Sequence, residues 1–276
     1  MVINNEGEVL GNRPFFNADF VKSHKIRSFR GNYATKFDMD IIRENEDAFV
    51  YEFDNLGQLT RQYKIHMKDT LINTYQYDYK GNIVMHRESN KLGYYEYRYK
   101  YDDQNRVIQE ELRRDKVFDH NKWSFELDKS TIVSTERFEY IKLEGFDFKK
   151  VCYNTANRIY RIEFYYFDDD QRLLKKESAM HNGRGRIEVN YSYNDLNQLT
   201  EIESVTKKSN PITTTRTFEY DEMGNVLSKK EFRNNKITSE DQLVYHEDTN
   251  ELRAIITRGQ ESNKLTILKF DKYRHY

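Results

Sequence analysis

The side chains able to do chemistry in this sequence are seven histidines, a recurring set of aspartates, one cysteine and a large number of tyrosines. His24, His66, His86, His120, His181, His246 and His275 stand singly, with no pair at metal-ligand spacing and no neighbouring group to orient a ring. They read as ordinary strand and surface residues rather than as bases or ligands. Asp54, Asp78, Asp102 and Asp221 recur in the same local context. A catalytic carboxylate pair would be unique, whereas a repeated aspartate is what turn chemistry demands. The run Asp168-Asp169-Asp170 lacks the spaced oxygens and closing glutamate of a calcium loop, so it reads as a solvated turn. Cys152 reads as a small buried strand residue. With no phosphate-cradling glycine loop and no nucleophile motif, the sequence assigns no catalytic residue, no metal site and no cofactor.

One pattern does point to a ligand. Tyr95, Tyr97, Tyr99 and Tyr101 alternate with Glu96, Arg98 and Lys100, which puts four rings on one face of a strand and the charges on the other. Tyrosine offers an apolar face and a polar tip, so such a row can stack on a sugar or a partner protein. Together with Trp123, these residues are the binding candidates, and the partner expected is a protein or a glycan. The competing reading makes the rings core, because a thin sheet must bury its aromatics to fold.

These residues are positioned by a repeat. Tyr51-Glu52-Phe53-Asp54, Tyr75-Gln76-Tyr77-Asp78 and Tyr99-Lys100-Tyr101-Asp102 lie about 24 residues apart, each followed by Gly or Asn three positions after the Asp. Further copies sit at Tyr191–Leu199 and Phe218–Val226, with weaker ones at Tyr245-His246 and Phe270-Asp271. Asp or Asn opens a turn by accepting backbone N–H groups, and Gly or Asn tolerates the positive φ that closes it. More variable turns fall midway between, including Arg233–Lys236 and Gly259–Ser262. Turns every 12 or 13 residues with strands of about eight predict an all-β antiparallel meander of hairpins. Residues 1–48 form an N-terminal segment, with a half repeat at Ile3–Val9, a short helix near Asn17–His24 and one weak strand at Lys25–Arg30. Residues 49–276 form the repeat domain, irregular at 113–158, and the turns after Tyr153 and Phe167 come only 14 apart.

Composition narrows the function classes. The 276 residues include 22 Tyr, 17 Phe and 1 Trp, at a mean hydropathy of -0.98, which fits a thin structure with much surface. Lys and Arg number 45 against 46 Asp and Glu, with no basic stripe, so nucleic acid is not expected as a partner. A single cysteine excludes an internal disulfide. The opening residues show neither a basic n-region nor an apolar h-region, and no membrane-spanning run follows.

The phased units resemble the YD repeats of the Rhs family of bacterial proteins, whose unit Tyr-x-Tyr-Asp-x-x-Gly-Arg/Asn-Leu is matched at Tyr75–Ile83 and Phe218–Val226 and approximately elsewhere from residue 49 onward. That resemblance implies a sheet that curls or spirals, a bacterial origin, and a cell-envelope or secreted location whose leader is not present in this chain, with the cytoplasm left open. No toxin domain follows the last repeat, so a short free-standing member is the nearer analogy. The function expected is a non-enzymatic structural or protein-interaction module, with a carbohydrate-binding module using the Tyr face as the alternative.

Overall fold

A computed structural model describes residues 1–276 apart from 5–7, 12, 68, 91, 119–122, 124–125 and 260–262. His120, the middle of the half repeat and most of the turn at Gly259–Ser262 therefore lie outside the described residues. The described elements are α1 (Ala18–Ser23), β1 (Ile26–Phe37), β2 (Arg43–Phe53), β3 (Leu59–His66), β4 (Asp69–Tyr77), β5 (Ile83–Asn90), β6 (Gly93–Tyr101), β7 (Val107–Val117), β8 (Leu127–Lys142) and β9 (Phe148–Tyr153). They continue as β10 (Ile159–Phe167), β11 (Leu173–Met180), β12 (Arg186–Tyr193), β13 (Leu199–Lys207), β14 (Ile212–Tyr220), β15 (Val226–Arg233), β16 (Lys236–Tyr245), β17 (Leu252–Gly259) and β18 (Lys264–His275). The fold is all-β and antiparallel, and α1 matches the short helix expected near Asn17–His24.

The signature turns share one geometry. At Asp54, Asp78, Asp102, Asn154, Asp168, Asn194 and Asp221 the backbone N–H donates to the carbonyl four residues on. The carbonyl of the same residue accepts from the N–H three residues on. Its side-chain Oδ1 accepts the N–H groups two and four residues on. The third position after the acid is left-handed throughout: Gly57, Gly81 and Gly224 at φ 81, 86 and 82°, and Asn105, Asn157, Asn197 and Gln171 at 59, 56, 60 and 62°. One short side chain thus satisfies two loop donors in each hairpin, which is why Asp and Asn interchange here and larger residues do not. The variable turn at Asn234-Asn235 has both residues at positive φ, 49 and 64°, the two-residue hairpin geometry that suits the twist of the flanking strands.

Residues Met1–Leu59, Lys64–Lys68 and Ile187–Tyr276 pack as one unit. Here β13 to β18 pair in chain order, and β1 pairs with β18 on one side and β2 on the other. The curled or spiralling sheet expected from the repeats is corrected at this point: β1, the first described strand, is bonded to β18, the last. The physical cause is visible at Phe29, fully buried among Phe16, Tyr51, Phe53, Phe270 and Tyr273, so that β1 gains a ladder on each edge and a shared aromatic cluster. The copy expected at Phe270-Asp271 forms no turn. It lies inside β18, where the register with β1 slips between Arg30 and Gly31, and Asp271 is left as a bulge. The N-terminal segment lies on this unit. Val2 bridges Phe16, and the Val226 N–H donates to the Val2 carbonyl at 3.2 Å.

Residues Thr60–Tyr63 and Asp69–Arg186 form the second unit, in which β4 to β11 pair in order. The irregular stretch resolves into a long strand and a short one. β8 has 16 residues and β9 has 6. Along β8, β7 pairs with Leu127–Arg137 and β9 with Arg137–Lys142 alone. The turn at Asn154–Asn157 therefore closes beside the middle of β8, where the Thr135 N–H donates to Thr155 Oγ1 at 2.9 Å. Two signature turns then cap opposite ends of β10, which accounts for their close spacing.

Candidate binding face

The second tyrosine of the signature has a task that its position alone does not announce. The hydroxyl of Tyr101 donates to the Ile83 carbonyl at 2.7 Å, Tyr220 to Leu199 at 2.5 Å and Tyr245 to Val226 at 2.7 Å; Tyr273, which follows rather than precedes its acid, donates to Leu252 at 2.6 Å. Tyr140 does the same to Val107 at 2.9 Å. Each accepting carbonyl is the first of a strand leaving a turn, and each donor ends or nearly ends the strand beside it. The ring thus clasps the open end of a hairpin whose other end is closed by the variable turn. Burial raises the hydroxyl pKa of Tyr101's counterparts Tyr220, Tyr245 and Tyr273, so they remain protonated donors.

The Tyr95–Tyr101 row is divided by this geometry. Tyr101 is half-buried and serves as a clasp. Tyr97 is half-buried and stacks on His86, with centroids 5.9 Å apart and planes 19° apart. His86 in turn lies flat on buried Tyr75 at 4.8 Å and 4°, and its Nε2 is 3.0 Å from Asn73 Oδ1. Tyr99 is half-buried. Tyr95 is 42% exposed, and the Arg114 guanidinium lies 4.8 Å over its ring while also donating to Asn90 Oδ1 at 2.8 Å. Trp123 is 53% exposed and lies parallel to Tyr63 at 6.1 Å, so its ring partner is not a member of the row. The accessible part of the candidate set is Tyr95 with Arg114, and Trp123 with Tyr63.

The opposite face of β6, which carries the charges, is in part buried. Glu96 is fully buried, bonded by the Nε groups of Arg87 and Arg98, with Arg113 Nε at 4.0 Å. Asp115 is fully buried as well and accepts from Ser130 Oγ; its Oδ2 lies 3.5 Å from Arg87 Nε without a hydrogen bond. Burial pushes the Asp115 carboxyl up and the Glu96 charge adds to that, against the Ser130 bond. Burial acts to raise Glu96 too, but the bonds and charges of Arg98 and Arg87 outweigh it and hold that carboxyl down. Both carboxylates are buried, and their bonds tie neighbouring strands together. Sequence reasoning missed the pair because alternation marks which residues share a face, not which face is covered. Among the described residues no three of His, Cys, Asp and Glu converge as a metal set, and no helix is long and apolar enough to cross a membrane.

No protein-family model matches the chain, and no curated protein does. Among solved structures it is similar to TcdB2-TccC3-Cdc42, at 14% identity over 76% of this chain with a TM-score of 0.27. This chain spans only 12% of that one's length. It is also similar to a porin-like protein from Bacteroides vulgatus ATCC 8482, at 11% identity over 77% of this chain and 97% of that one, TM-score 0.35. A porin-like protein from Bacteroides uniformis ATCC 8492 matches at 9% identity over 90% and 98% of the two chains, TM-score 0.40.

Proposed function

We propose that this chain is a module of YD repeats, non-enzymatic, acting as a structural or protein-interaction element of the bacterial cell envelope or exterior. One observation carries the reading: the polar groups that recur along the chain are consumed within it. Signature acids hold turn N–H groups, and signature hydroxyls hold strand carbonyls. The most buried acids, Glu96 and Asp115, are closed off by arginines and a serine. Such a chain presents surface rather than a reaction centre. A substrate screen on the purified chain, paired with fractionation of the producing cells, tests the reading. Expected are no turnover that depends on one or two side chains, and recovery from the envelope or medium. Turnover abolished by a single substitution would overturn the first half, and a purely cytoplasmic pool the second.

A second reading, carbohydrate binding, is favoured by Tyr95, which combines an exposed ring with a flanking guanidinium. On a glycan array, hits lost in Tyr95→Ala would support it. An array without hits would remove it.

A further inference from the structure

Within the second unit three cations meet one carboxylate. Glu163 on β10 is buried; Arg161 Nε lies 3.2 Å and Lys176 Nζ 3.3 Å from its Oε1, Lys150 Nζ 3.9 Å from its Oε2, and Tyr165 donates to Oε2 at 2.8 Å. Among the described residues Glu163 is the only carboxylate within 4.0 Å of any of these cations. Glu136 accepts the Tyr160 hydroxyl, and burial pushes the Cys152 thiol pKa up, away from the charged form. The cluster thus carries two positive charges in excess of its one negative charge. Part of that excess is withdrawn from solvent: the Lys150 side chain is only 15% exposed, its ammonium 4.0 Å over the Phe138 ring, and Arg161 Nε is buried without a hydrogen-bond partner. Burial depresses the Lys150 pKa, and the Lys176 and Arg161 charges add to the depression although Glu163 opposes it. Uncompensated buried charge is costly, so a fold that keeps it has a use for it or a counter-ion. Lys176 and Arg161 remain 28% and 36% exposed, which leaves the cationic rim open.

We infer that Lys150, Arg161 and Lys176 form a binding site for an oxyanion group (phosphate, sulfate or carboxylate) seated over the β9–β11 ladder, whose cationic excess Glu163 only partly offsets. A guanidinium beside two ammonium groups matches the oxygens of such a group, and Phe148 stacked on Tyr165 at 4.6 Å offers a flat apolar wall next to it. The site stands apart from the module reading and does not depend on it.

Calorimetric titration of the full chain at low ionic strength with inorganic phosphate, acetate and glucuronate tests the site. Binding of at least one anion is expected, weakened about tenfold or more in Lys176→Gln, whose side chain is exposed enough to be replaced without unfolding the sheet. Glu163→Gln is the decisive variant. It removes the one negative charge, so anion affinity should rise about tenfold or more, whereas a purely structural ion cluster would lose stability and gain no affinity. Glucuronate above acetate would assign a sugar-borne carboxylate, and phosphate alone a phosphate group. No binding by any of the three, or affinities that ignore both substitutions, would overturn the site.

Discussion

Gly81 and Gly57 fill the same slot of the repeat, yet substitution should separate them. Gly81 sits at φ 86°, a conformation in which a β-branched side chain is strained, so Gly81→Val should cost about 1–3 kcal/mol. Gly81→Asn should cost far less, since Asn105, Asn157 and Asn197 hold the sister positions. At Gly57 even a tolerated φ does not help, because a Cβ there would lie 2.0 Å from the Ala18 carbonyl oxygen at the start of α1. Urea melts should rank Gly57→Asn well below Gly81→Asn, and equal midpoints would mean that α1 is not seated on that turn. Titration supplies a second test at this scale. The raised Asp115 carboxyl favours the fold while protonated and costs stability as pH climbs through its folded pKa. Asp115→Asn should therefore be neutral or stabilising at pH 7, with that advantage gone near about pH 4, where the unfolded carboxyl also protonates. Glu96→Gln should destabilise at pH 7, because it leaves Arg87 and Arg98 without their partner.

For the hairpin, the tyrosine clasp explains why the signature ends in Tyr-Asp: the acid shapes the turn, and the ring before it ties back the strand alongside. Tyr245→Phe should cost about 1–2 kcal/mol by leaving the Val226 carbonyl without its donor, while Tyr79→Phe, at 93% exposed, should change nothing measurable. A Tyr245→Phe melt indistinguishable from wild type would reduce the clasp to incidental contact. The turn half of this element was legible in the sequence, because its donors and acceptors lie within five residues of one another. Its clasp was not, because Tyr245 and Val226 meet only after the strands between them have paired.

On the scale of the chain, the first unit depends on residues far apart in sequence. Phe16 is 7% exposed and packs edge-on against Phe29, Tyr51 and Phe53. Phe16→Ala should cost about 3–5 kcal/mol, read from thermal or urea melts, since the ring is removed from a packed aromatic cluster. A loss below about 1 kcal/mol would show that the N-terminal segment adds little to this core.

By itself the sequence determined the all-β class, the antiparallel hairpins, the signature turns at Asp54, Asp78, Asp102, Asn194 and Asp221, and a short helix near Asn17–His24. These rest on side chains acting on backbone a few residues away, and a repeat multiplies that local signal. Only the tertiary structure decided that β1 pairs with β18, that Phe270-Asp271 runs straight through a strand, and that Glu96 is buried while Tyr95 is not. Alternation says which residues share a face; which face is covered, and by what, is set by contacts across tens to hundreds of residues. The same distance hid the Glu163 cluster, whose cations come from three strands and look, in sequence, like ordinary surface lysines and arginines.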